Sequence, residues 1–520
     1  MSFVSKISLL LHTVRYLKPV QILYRLKYKF CPVVVPEGRS KASVLVSNLN
    51  FLPSIPSYGR YRHRHFTFLN QEKHFPDKID WEYPDYGRLW TYNLNYFEFL
   101  NQEGMDKAEG CRLIEEFLAD LPQNKTAWEP YPLSLRIIHW IRFFLHHQVR
   151  QPKFDTSLFC QLTALSKRPE YHLLGNHLLE NGFALLFGAY YFNNRDFYRQ
   201  ASKILIPQLE EQILKDGSHF ERSPMYHSIM LYRVLDCYNL CVHNELFGKE
   251  MSLFLKGKAE NMLGWLSRMV YTDGSIPLVN DAAFGIAPVY SQLKNYAEKL
   301  GLSLTNKVSL GDSGYRKMEA GPFEILADFG AIGPDYQPGH AHADTFNFEL
   351  YVHGRPVIVD TGTSTYEINA TRFYERSTAA HNTVVVNDRN SSEVWGGHRV
   401  ARRAKVKITE DLPGRLEAKH NGYHPCHIRK IKKTTDGIHI EDLIKGKGEA
   451  YFHFHPDEVP TVEQHTLTGA DYQIIFSGAI VIETVKSWYA PEFNKRIPNH
   501  CFRITFENRL SATIKPLPSV

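Results

Sequence analysis

The pattern of apolar residues changes at about Leu310, and this change constrains the fold more than any other feature of the chain. From about Asn50 to Ser303, segments such as WEPYPLSLRIIHWIRFFLHH and LLGNHLLENGFALLFGAYYF repeat apolar residues every three or four positions, which predicts helices. Beyond Leu310, runs such as FEILADFG, YQIIFSGAIVIETV and FRITFEN alternate or are rich in β-branched residues, which predicts strands. Helices and strands in separate blocks indicate an α+β multidomain chain.

The two blocks predict an all-α domain followed by an antiparallel β domain of stacked sheets, with the boundary near Gly311 to Tyr315. The 520 residues are 43% apolar and 13% aromatic, which is enough for substantial cores. The predicted domains are a basic amphipathic segment that packs on the helical domain (1–45), the helical domain (46–311) and the β domain (312–520).

Residues 1–30 combine basic and apolar side chains in the spacing of an amphipathic helix. We recognise no cleavable signal peptide and no stretch long enough to span a bilayer. Packing on the helical domain is the favoured interpretation, and peripheral contact with an anionic membrane surface is the alternative. The expected location is the cytoplasm or the periphery of the inner membrane, with the periplasm left open.

The formal charge of +6 is spread over 61 basic and 55 acidic residues without a long basic block. This distribution argues against nucleic-acid binding and supports only a mild preference for acidic ligands. The seven cysteines have no paired spacing, so neither a disulfide framework nor a thiolate metal site is predicted. The oligomeric state is not predicted.

Residues 328–388 place His340, His342, Asp360 and His381 around two predicted strands. The alternation in FNFELYV predicts a strand with one buried face, and the following HG predicts a turn into VIVD, so the two form a hairpin. His342 precedes the hairpin, Asp360 ends it, and His381 stands before a third strand, TVVV. These side chains could bind a divalent metal, most simply zinc, or could be hydrogen-bonded loop residues.

Two segments of the helical half carry further polar side chains. GNHLLENG places Asn176, His177 and Glu180 near the start of a helix, and ERSPMYHS places Arg222 and Tyr226 after a loop. Taken singly, each residue also has an ordinary structural interpretation, such as a helix cap, a half-buried ring or a paired guanidinium.

The run GHAHADTFNFELYVHGRPVIVDTGTSTY, with the later AAHNTVVVND, resembles the C-terminal half of the heparinase II/III family of polysaccharide lyases. The N-H and S-x-x-Y elements of the helical half resemble the cleft of the same family, and the likeness covers most of the chain after about residue 80. It implies an (α/α) toroid of helical hairpins followed by an antiparallel β-sandwich. It also implies one divalent metal, most simply zinc and mainly structural, on His342, Asp360 and His381.

The resemblance further implies a lyase that cleaves a uronic-acid-containing polysaccharide, either glycosaminoglycan-like or a bacterial capsule or exopolysaccharide, by β-elimination. Such an enzyme removes the C5 proton of the uronate and expels the C4 oxygen, so it needs a carboxylate-neutralising group, a base and an acid. Asn176, assisted by His177, is the predicted carboxylate donor. Tyr226 is the predicted acid and His340 the predicted base, although which of the two is the base depends on the C5 epimer.

The segment SSEVWGGHRVARRAKV follows the third strand and resembles a family segment near the cleft. A strand would send Arg399 and Arg403 to one face and Arg402 to the other, so they cannot all serve one ligand. A guanidinium fork suits a planar anion, and a solvated basic edge is the alternative. The predicted substrate contacts are Glu180, Arg222, Trp395 and Arg399.

Two other classes of function remain open from the sequence. A glycoside hydrolase needs paired carboxylates, for which Glu180, Glu221 and Asp281 are candidates, although no spacing pairs them. A non-catalytic glycan-binding protein of an exopolysaccharide biosynthesis system would keep the aromatic and arginine residues but would not need Tyr226 or His340.

Overall fold

The computed structural model of the chain describes residues 3–30, 46–304 and 308–517, so residues 31–45 of the predicted N-terminal segment lie outside it. The α-helices are α1 Phe3–Val14, α2 Pro19–Phe30, α3 Arg88–Tyr96, α4 Lys107–Asp120, α5 Pro130–His146, α6 Pro152–Lys167, α7 Gly175–Tyr191, α8 Arg195–Gln212, α9 Pro224–Val242, α10 Glu250–Met269, α11 Tyr290–Lys299 and α12 Ala370–Glu375. The β-strands are β1 Arg60–Arg62, β2 His65–Phe68, β3 Gln71–His74, β4 Tyr315–Ala320, β5 Phe323–Asp328, β6 Phe348–Val352, β7 Arg355–Ile358, β8 Val384–Val386, β9 Val394–Trp395, β10 Arg399–Val400, β11 Val406–Leu412, β12 Arg415–His420, β13 His427–Thr434, β14 Gly437–His453, β15 Thr461–Glu463, β16 Thr466–Thr468, β17 Tyr472–Glu492 and β18 Lys495–Pro516.

The helices of the first half form two layers. Helices α3, α5, α7, α9 and α11 contact one another in that order, while α6, α8 and α10 pack against them from outside. Nearly every residue of α7 and α9 is buried, whereas α8 exposes one side. An inner layer whose central helices are almost wholly buried and an outer layer with one wet face are the arrangement of helical hairpins around a common axis.

Local sequence explains where several of these helices begin. Pro130, Pro152 and Pro224 lie in the first turn of α5, α6 and α9, where a missing backbone N–H costs nothing. The side chain of Ser223 caps α9 by accepting a hydrogen bond from the backbone of Tyr226 at 3.2 Å. This cap fixes the first turn of α9, which carries one of the predicted site residues.

The second half is an antiparallel sandwich. Strands β4–β7 form a four-stranded sheet, and the larger sheet has the order β11-β12-β13-β14-β18-β17-β16-β15, with β8 paired to β14. Ile325 and Phe348 of the small sheet share a core with Ile440, Phe452 and Ile504 of the large one. The predicted α+β class, with a helical N-terminal region and an antiparallel C-terminal domain, is therefore confirmed.

Strands β6 and β7 form the predicted hairpin, and the predicted turn residues His353 and Gly354 have φ angles of 51° and 73°. The prediction of one buried face is wrong, because every residue of β6 is buried. Its second face packs on the helical half, where the ring of Tyr351 stacks on Tyr271 with 3.7 Å between centroids. Alternation along one strand carries no information about a domain that covers its outer face.

The N-terminal helices contact both halves of the molecule. The hydroxyl of Tyr28 on α2 donates to the carbonyl of Pro169 at 2.5 Å, as predicted for packing on the helical domain. On α1, the hydroxyl of Thr13 accepts from the indole of Trp395 in the β half at 3.1 Å. The prediction of packing on the helical domain alone was therefore incomplete. None of the helices in the described ranges has the length and apolar character needed to cross a bilayer.

A three-stranded sheet, β1–β3, interrupts the predominantly helical half, and the helical periodicity did not predict it. Tyr61, Phe66 and Phe68 point into the aromatic core beneath it, while the intervening residues are more exposed. These strands are only three or four residues long, which is too short for alternation to stand out from the surrounding helical pattern.

Candidate functional site

The candidate site lies where the start of α7, the loop before α9 and the loop before β6 meet. Gly175 begins α7 with a φ of 59°, and a Cβ there would lie 2.0 Å from the side-chain oxygen of Gln337. This close approach brings Asn176 against Glu221, where its amide nitrogen donates to both carboxylate oxygens at 3.0 and 2.9 Å. Asn176 is only 1% exposed, so the protein itself already engages the predicted carboxylate donor.

His177 is the most accessible of the predicted catalytic groups on α7. Its side chain is 30% exposed, and its Nδ1 lies 3.1 Å from a carboxylate oxygen of Glu170. The ring also packs on Tyr131, with 4.4 Å between centroids. Burial lowers the pKa of His177, but the charge and hydrogen bond of Glu170 outweigh it, so the pKa is raised above its usual value. The side chain of His177 is thus partly exposed, and Glu170 favours its protonated form.

Tyr226 and His340 stand side by side. Their rings stack with 3.8 Å between centroids, and the Tyr226 hydroxyl lies 3.1 Å from the hydroxyl of Tyr366. Burial, followed by the neighbouring Tyr366, raises the pKa of Tyr226 well above its usual value. The phenol is therefore the stable form, which suits a proton donor better than a base.

Asp281 holds both histidines of the HAH motif. One of its oxygens lies 3.0 Å from Nδ1 of His340 and the other 2.8 Å from Nε2 of His342. Burial raises the pKa of Asp281, but the bidentate ion pair with Arg372 and the two imidazoles outweigh this and hold it well below its usual value. Because a carboxylate only accepts hydrogen bonds, the Nδ1–H of His340 donates to Asp281, while Nε2 lies 3.8 Å from a carboxylate oxygen of Glu221.

The predicted metal ligands gather in the buried core of the same region. His342 and His381 are fully buried with 5.3 Å between ring centroids, and His342 Nδ1 and His381 Nε2 have no hydrogen-bond partner among the described residues. A carboxylate holds the other nitrogen of each ring, and Asp360 does so for His381 at 2.8 Å. Two neighbouring imidazoles, each with one unpaired nitrogen and a carboxylate on the other, are typical of metal-binding histidines.

Asp360 itself is already engaged. One oxygen accepts from Asn347 at 2.6 Å as well as from His381, and the other accepts from the backbone of Gly362 at 3.0 Å. An unpaired, buried oxygen belongs instead to Asp344. Within the described ranges, no group of three His, Cys, Asp or Glu side chains has the spacing to hold a metal ion. The two imidazoles therefore fit a metal, whereas the predicted third ligand does not point to it in this structure.

Two predicted substrate contacts are turned toward the protein. Glu180 is fully buried, and Nε of Arg233 donates to its oxygens at 3.1 and 3.2 Å. Arg222, held at a φ of 57°, donates to the carbonyl of Ala331 and packs on Gly333. Both side chains are engaged by other groups of the protein, and neither is available to substrate in this structure.

The basic segment meets the cleft at one end. Strands β9 and β10 are only two residues long, so the expected strand alternation does not extend to Arg402 and Arg403. Arg402 pairs with Glu393 at 2.6 Å and Arg403 with Asp335 at 3.1 Å. The guanidinium of Arg399 instead lies over Trp395, 4.8 Å from the ring centroid. His398 lies between Trp395 and Arg399 in the sequence, and its ring lies 6.4 Å from that of His340.

The structure thus places Asn176 and His340 beside Glu221 and stacks Tyr226 on His340, while His177 follows Asn176 on α7. Trp395 and Arg399 flank His398, whose ring lies 6.4 Å from that of His340. Sequence reasoning assigned Glu221 and Asp281 only to a hydrolase and missed Tyr366, Arg372 and Asp344 altogether. Asp344 carried a usable signal, because it continues the alternation of HAHAD. Tyr366 and Arg372 carried none, since only the folded chain brings them to Tyr226 and Asp281.

Comparison with known proteins gives two family matches that together span most of the chain. Residues 85–301 match the family "Heparinase II/III N-terminus", and residues 303–515 match "Heparinase II/III-like, C-terminal". The division between the two matches falls between α11 and β4.

Individual relatives and solved structures agree with these matches. A heparin-sulfate lyase of Bacteroides stercoris is 24% identical over 367 residues, which are 63% of this chain and 54% of the relative. A heparin-sulfate lyase of Pedobacter heparinus is 24% identical over 341 residues, 59% of this chain and 49% of the relative. The chain thus matches about half the length of these curated relatives.

The solved structures show a shared fold over nearly the whole chain. The crystal structure of heparinase III has a TM-score of 0.69 at 16% identity and covers 96% of this chain and 92% of its own. Heparan sulfate lyase HepC from Pedobacter heparinus has a TM-score of 0.58 at 15% identity, covering 96% of this chain and 88% of its own.

Proposed function

The chain belongs to the heparinase II/III family, and from this premise we propose that it is a polysaccharide lyase. Its proposed substrate is a polysaccharide that contains uronic acid, either glycosaminoglycan-like or a bacterial capsule or exopolysaccharide. The proposed reaction is β-elimination. The observation that carries the proposal is the contact between Tyr226 and His340, whose rings stack at 3.8 Å with the phenol protonated and with Asp281 holding Nδ1 of the imidazole rather than Nε2.

In the proposed reaction, Nε2 of His340 takes the proton from C5 of the uronate. The electron pair left at C5 forms the C4–C5 double bond, the bond from C4 to the glycosidic oxygen breaks, and that oxygen takes a proton from the hydroxyl of Tyr226. Asp281 keeps the proton of His340 on Nδ1, so that Nε2 is the base. Tyr366 orients the Tyr226 hydroxyl from the side. Each group of this kind contributes about 100- to 10,000-fold to the rate.

The C5 proton becomes acidic only when the charge of the neighbouring carboxylate is balanced. We propose that His177 supplies this balance, because it is the accessible cation of the cleft and Glu170 stabilises its charged form. Asn176 would join it by turning its amide away from Glu221, to whose two oxygens it donates in this structure. In this proposal His177 is the main group that neutralises the substrate carboxylate, whereas the sequence had suggested Asn176 for that role.

A divalent metal, if bound, would lie on His342 Nδ1 and His381 Nε2, with Asp344 or Asp360 as a further ligand. Such an ion would supply positive charge that pins the loops around β6 and β8. It would thereby fix the backbone of His340, two residues before His342, while the proton transfers belong to His340 and Tyr226.

Ultraviolet absorbance during incubation with a panel of uronic-acid polymers tests the proposal, because elimination leaves a conjugated, absorbing product and hydrolysis does not. On the substrate so found, His340→Gln and Tyr226→Phe are expected to lose about 100-fold or more in kcat. Tyr198→Phe, on the outer helix α8, is the matched control and is expected to keep full activity.

Other outcomes would contradict the proposal. Cleavage without a rise in absorbance would favour a hydrolase, although Glu180, Glu221 and Asp281 are all at most 1% exposed and are engaged by other side chains. Binding of a uronic-acid polymer without any cleavage would favour a glycan-binding protein. Near-normal turnover of His340→Gln and Tyr226→Phe on a confirmed substrate would show that other residues transfer the protons.

A further inference from the structure

Helices α1 and α2 each present an apolar stripe to solvent. The exposed apolar residues of α1 follow the spacing i, i+3, i+4, i+7, and those of α2 follow i, i+1, i+4, i+8, so each set lies within about 100° of the helix circumference. They are between 41% and 71% exposed. The residues are Ile7, Leu10, Leu11 and Val14 on α1 and Ile22, Leu23, Leu26 and Phe30 on α2.

The opposite faces of the two helices are fixed to the protein. Leu9 of α1 is 8% exposed, and Gln21 and Tyr28 of α2 are 1% and 9% exposed. Gln21 donates to the carbonyl of Leu173 at 3.1 Å. The helices therefore do not need the outer stripes in order to dock, and the described part of the chain leaves the stripes uncovered.

The charge of this segment is one-sided. Residues 1–30 contain six lysines and arginines and no aspartate or glutamate, and the remaining chain has 55 basic and 55 acidic residues. The whole formal charge of +6 therefore resides in these 30 residues. By helical position, Lys6 flanks the stripe of α1, and Arg25, Lys27 and Lys29 flank that of α2, while Arg15 follows the last residue of α1 directly.

An apolar stripe between cations restricts the occupant. A second copy of the chain would cover the apolar residues but would bring two equally positive surfaces together. A nucleic acid would satisfy the charge but leave the leucines and isoleucines in water. An anionic lipid surface satisfies both, because the apolar side chains enter the boundary of the acyl chains and the cations meet the headgroups.

We propose that α1 and α2 dock the protein on the surface of an anionic lipid bilayer. Both helices are 12 residues long, so they lie in the interface and do not span it. The hydrogen bond from Trp395 to Thr13 joins α1 to the cleft edge, where Arg399 lies over the same indole. Docking therefore holds the cleft close to the bilayer surface. The proposal does not depend on lyase activity.

Co-sedimentation of the full chain with vesicles tests the proposal. Binding is expected with vesicles of phosphatidylcholine and phosphatidylserine, and much weaker binding with phosphatidylcholine alone. The double variant Leu11→Glu/Leu23→Glu is expected to lose at least about tenfold in vesicle affinity. Leu253→Glu is the matched control, because Leu253 is 68% exposed on the outer helix α10, and it is expected to bind like the parent.

A separate variant tests the charge. Lys27→Glu/Lys29→Glu is expected to lose binding to the anionic vesicles while keeping the unfolding temperature of the parent, since both side chains are exposed. The proposal is overturned if the parent does not bind anionic vesicles, or if Leu253→Glu loses binding as strongly as the double variant. It is also overturned if Leu11→Glu/Leu23→Glu converts a dimer into a monomer in light scattering while vesicle binding is unchanged.

Discussion

At the residue scale, buried carboxylates determine what each histidine of the site can do. Glu170 raises the pKa of His177, Asp281 accepts from Nδ1 of His340, and Asp360 holds His381 so that its Nε2 has no partner among the described residues. The carboxylate beside each imidazole thus determines which of its nitrogens is left for other contacts.

The raised pKa of His177 gives a pH prediction. The imidazolium binds the uronate at pH values below its pKa, and the contact is lost as the pH rises through it. The KM for an acidic polymer is therefore expected to rise at alkaline pH. His177→Gln should raise KM by about 10- to 100-fold and remove that dependence, because a hydrogen bond to a charged group contributes about 1.5–3 kcal/mol. An unchanged KM profile in this variant would contradict the assignment.

The proposed metal site gives a second prediction at this scale. Elemental analysis of protein purified without chelator is expected to find about one divalent ion per chain, most simply zinc. His381→Ala should lose that ion. It should also lower the unfolding temperature, because the ion would no longer join the buried imidazoles of His342 and His381. His243→Ala, at the end of α9, is the control. Absence of any metal together with an unchanged stability of His342→Ala would contradict the site.

The same samples distinguish the third ligand. Asp344→Asn is expected to lose the ion if the unpaired Asp344 oxygen turns to the metal, whereas Asp360→Asn is expected to do so if Asp360 leaves its present partners. Retention of the metal in both variants would show that two imidazoles and water suffice.

At the scale of elements, the shortness of strands β9 and β10 decides where three arginines point. A longer strand would have placed Arg399 and Arg403 on one face and Arg402 on the other. Arg402 and Arg403 are paired with carboxylates, and Arg399 lies over Trp395 at the cleft edge. Arg399→Ala is therefore expected to raise the KM for the acidic polymer by about tenfold, and Arg402→Ala to change it little. Equal effects of the two would return the anchoring role to other residues of the cleft.

A second element-scale prediction concerns Arg429 on β13. Its guanidinium is buried, pairs with Asp442 at 2.8 Å, and donates to the carbonyls of Phe346 and Asn382 at 2.5 and 2.8 Å. It thus ties the loops of the metal site to the large sheet. Arg429→Met should cost about 3–5 kcal/mol of unfolding free energy, because Asp442 stays buried without its guanidinium and keeps only the imidazole of His427. Arg415→Met, exposed on β12, is the control in denaturant unfolding.

At the scale of the whole molecule, the small sheet β4–β7 packs on the large sheet with one face and on the helical half with the other. Tyr351 stacks on Tyr271, and its hydroxyl lies 3.0 Å from the hydroxyl of Ser275. Tyr351→Ala should cost about 3–5 kcal/mol and should separate the unfolding of the halves in calorimetry. Tyr451→Ala, on β14 of the large sheet, is the control that should leave the transitions joined. A single sharp transition in both variants would contradict the claim that Tyr351 couples the unfolding of the two halves.

The fold was predictable to the extent that local pattern decides it. Periodicity identified the helices, the strands and the hairpin of β6 and β7, because one repeating face is read from neighbouring residues. It could not identify the second buried face of β6 or the bridging position of α1, because both depend on contacts with residues far away in the chain. The short sheet β1–β3 was too brief to give a pattern.

The site was predictable in its histidines and tyrosine but not in its carboxylates. His340 and Tyr226 stand in short motifs, so the resemblance could carry them, and the structure brings them into contact. The roles of Glu221 and Asp281 depend on which side chain each one faces, and a sequence does not state that. For the same reason Glu180 was expected to face substrate, although it faces Arg233.

Asp281 divides its two oxygens between His340 and His342, and this sharing has a consequence for mutational studies. Substitutions at the two histidines will not be additive, because each one changes the partner that the other retains. A double-mutant cycle over His340 and His342 will therefore report a coupling energy even though the two side chains serve different tasks. Substitution of Asp281 removes both contacts at once, so its effect cannot be divided between the two histidines.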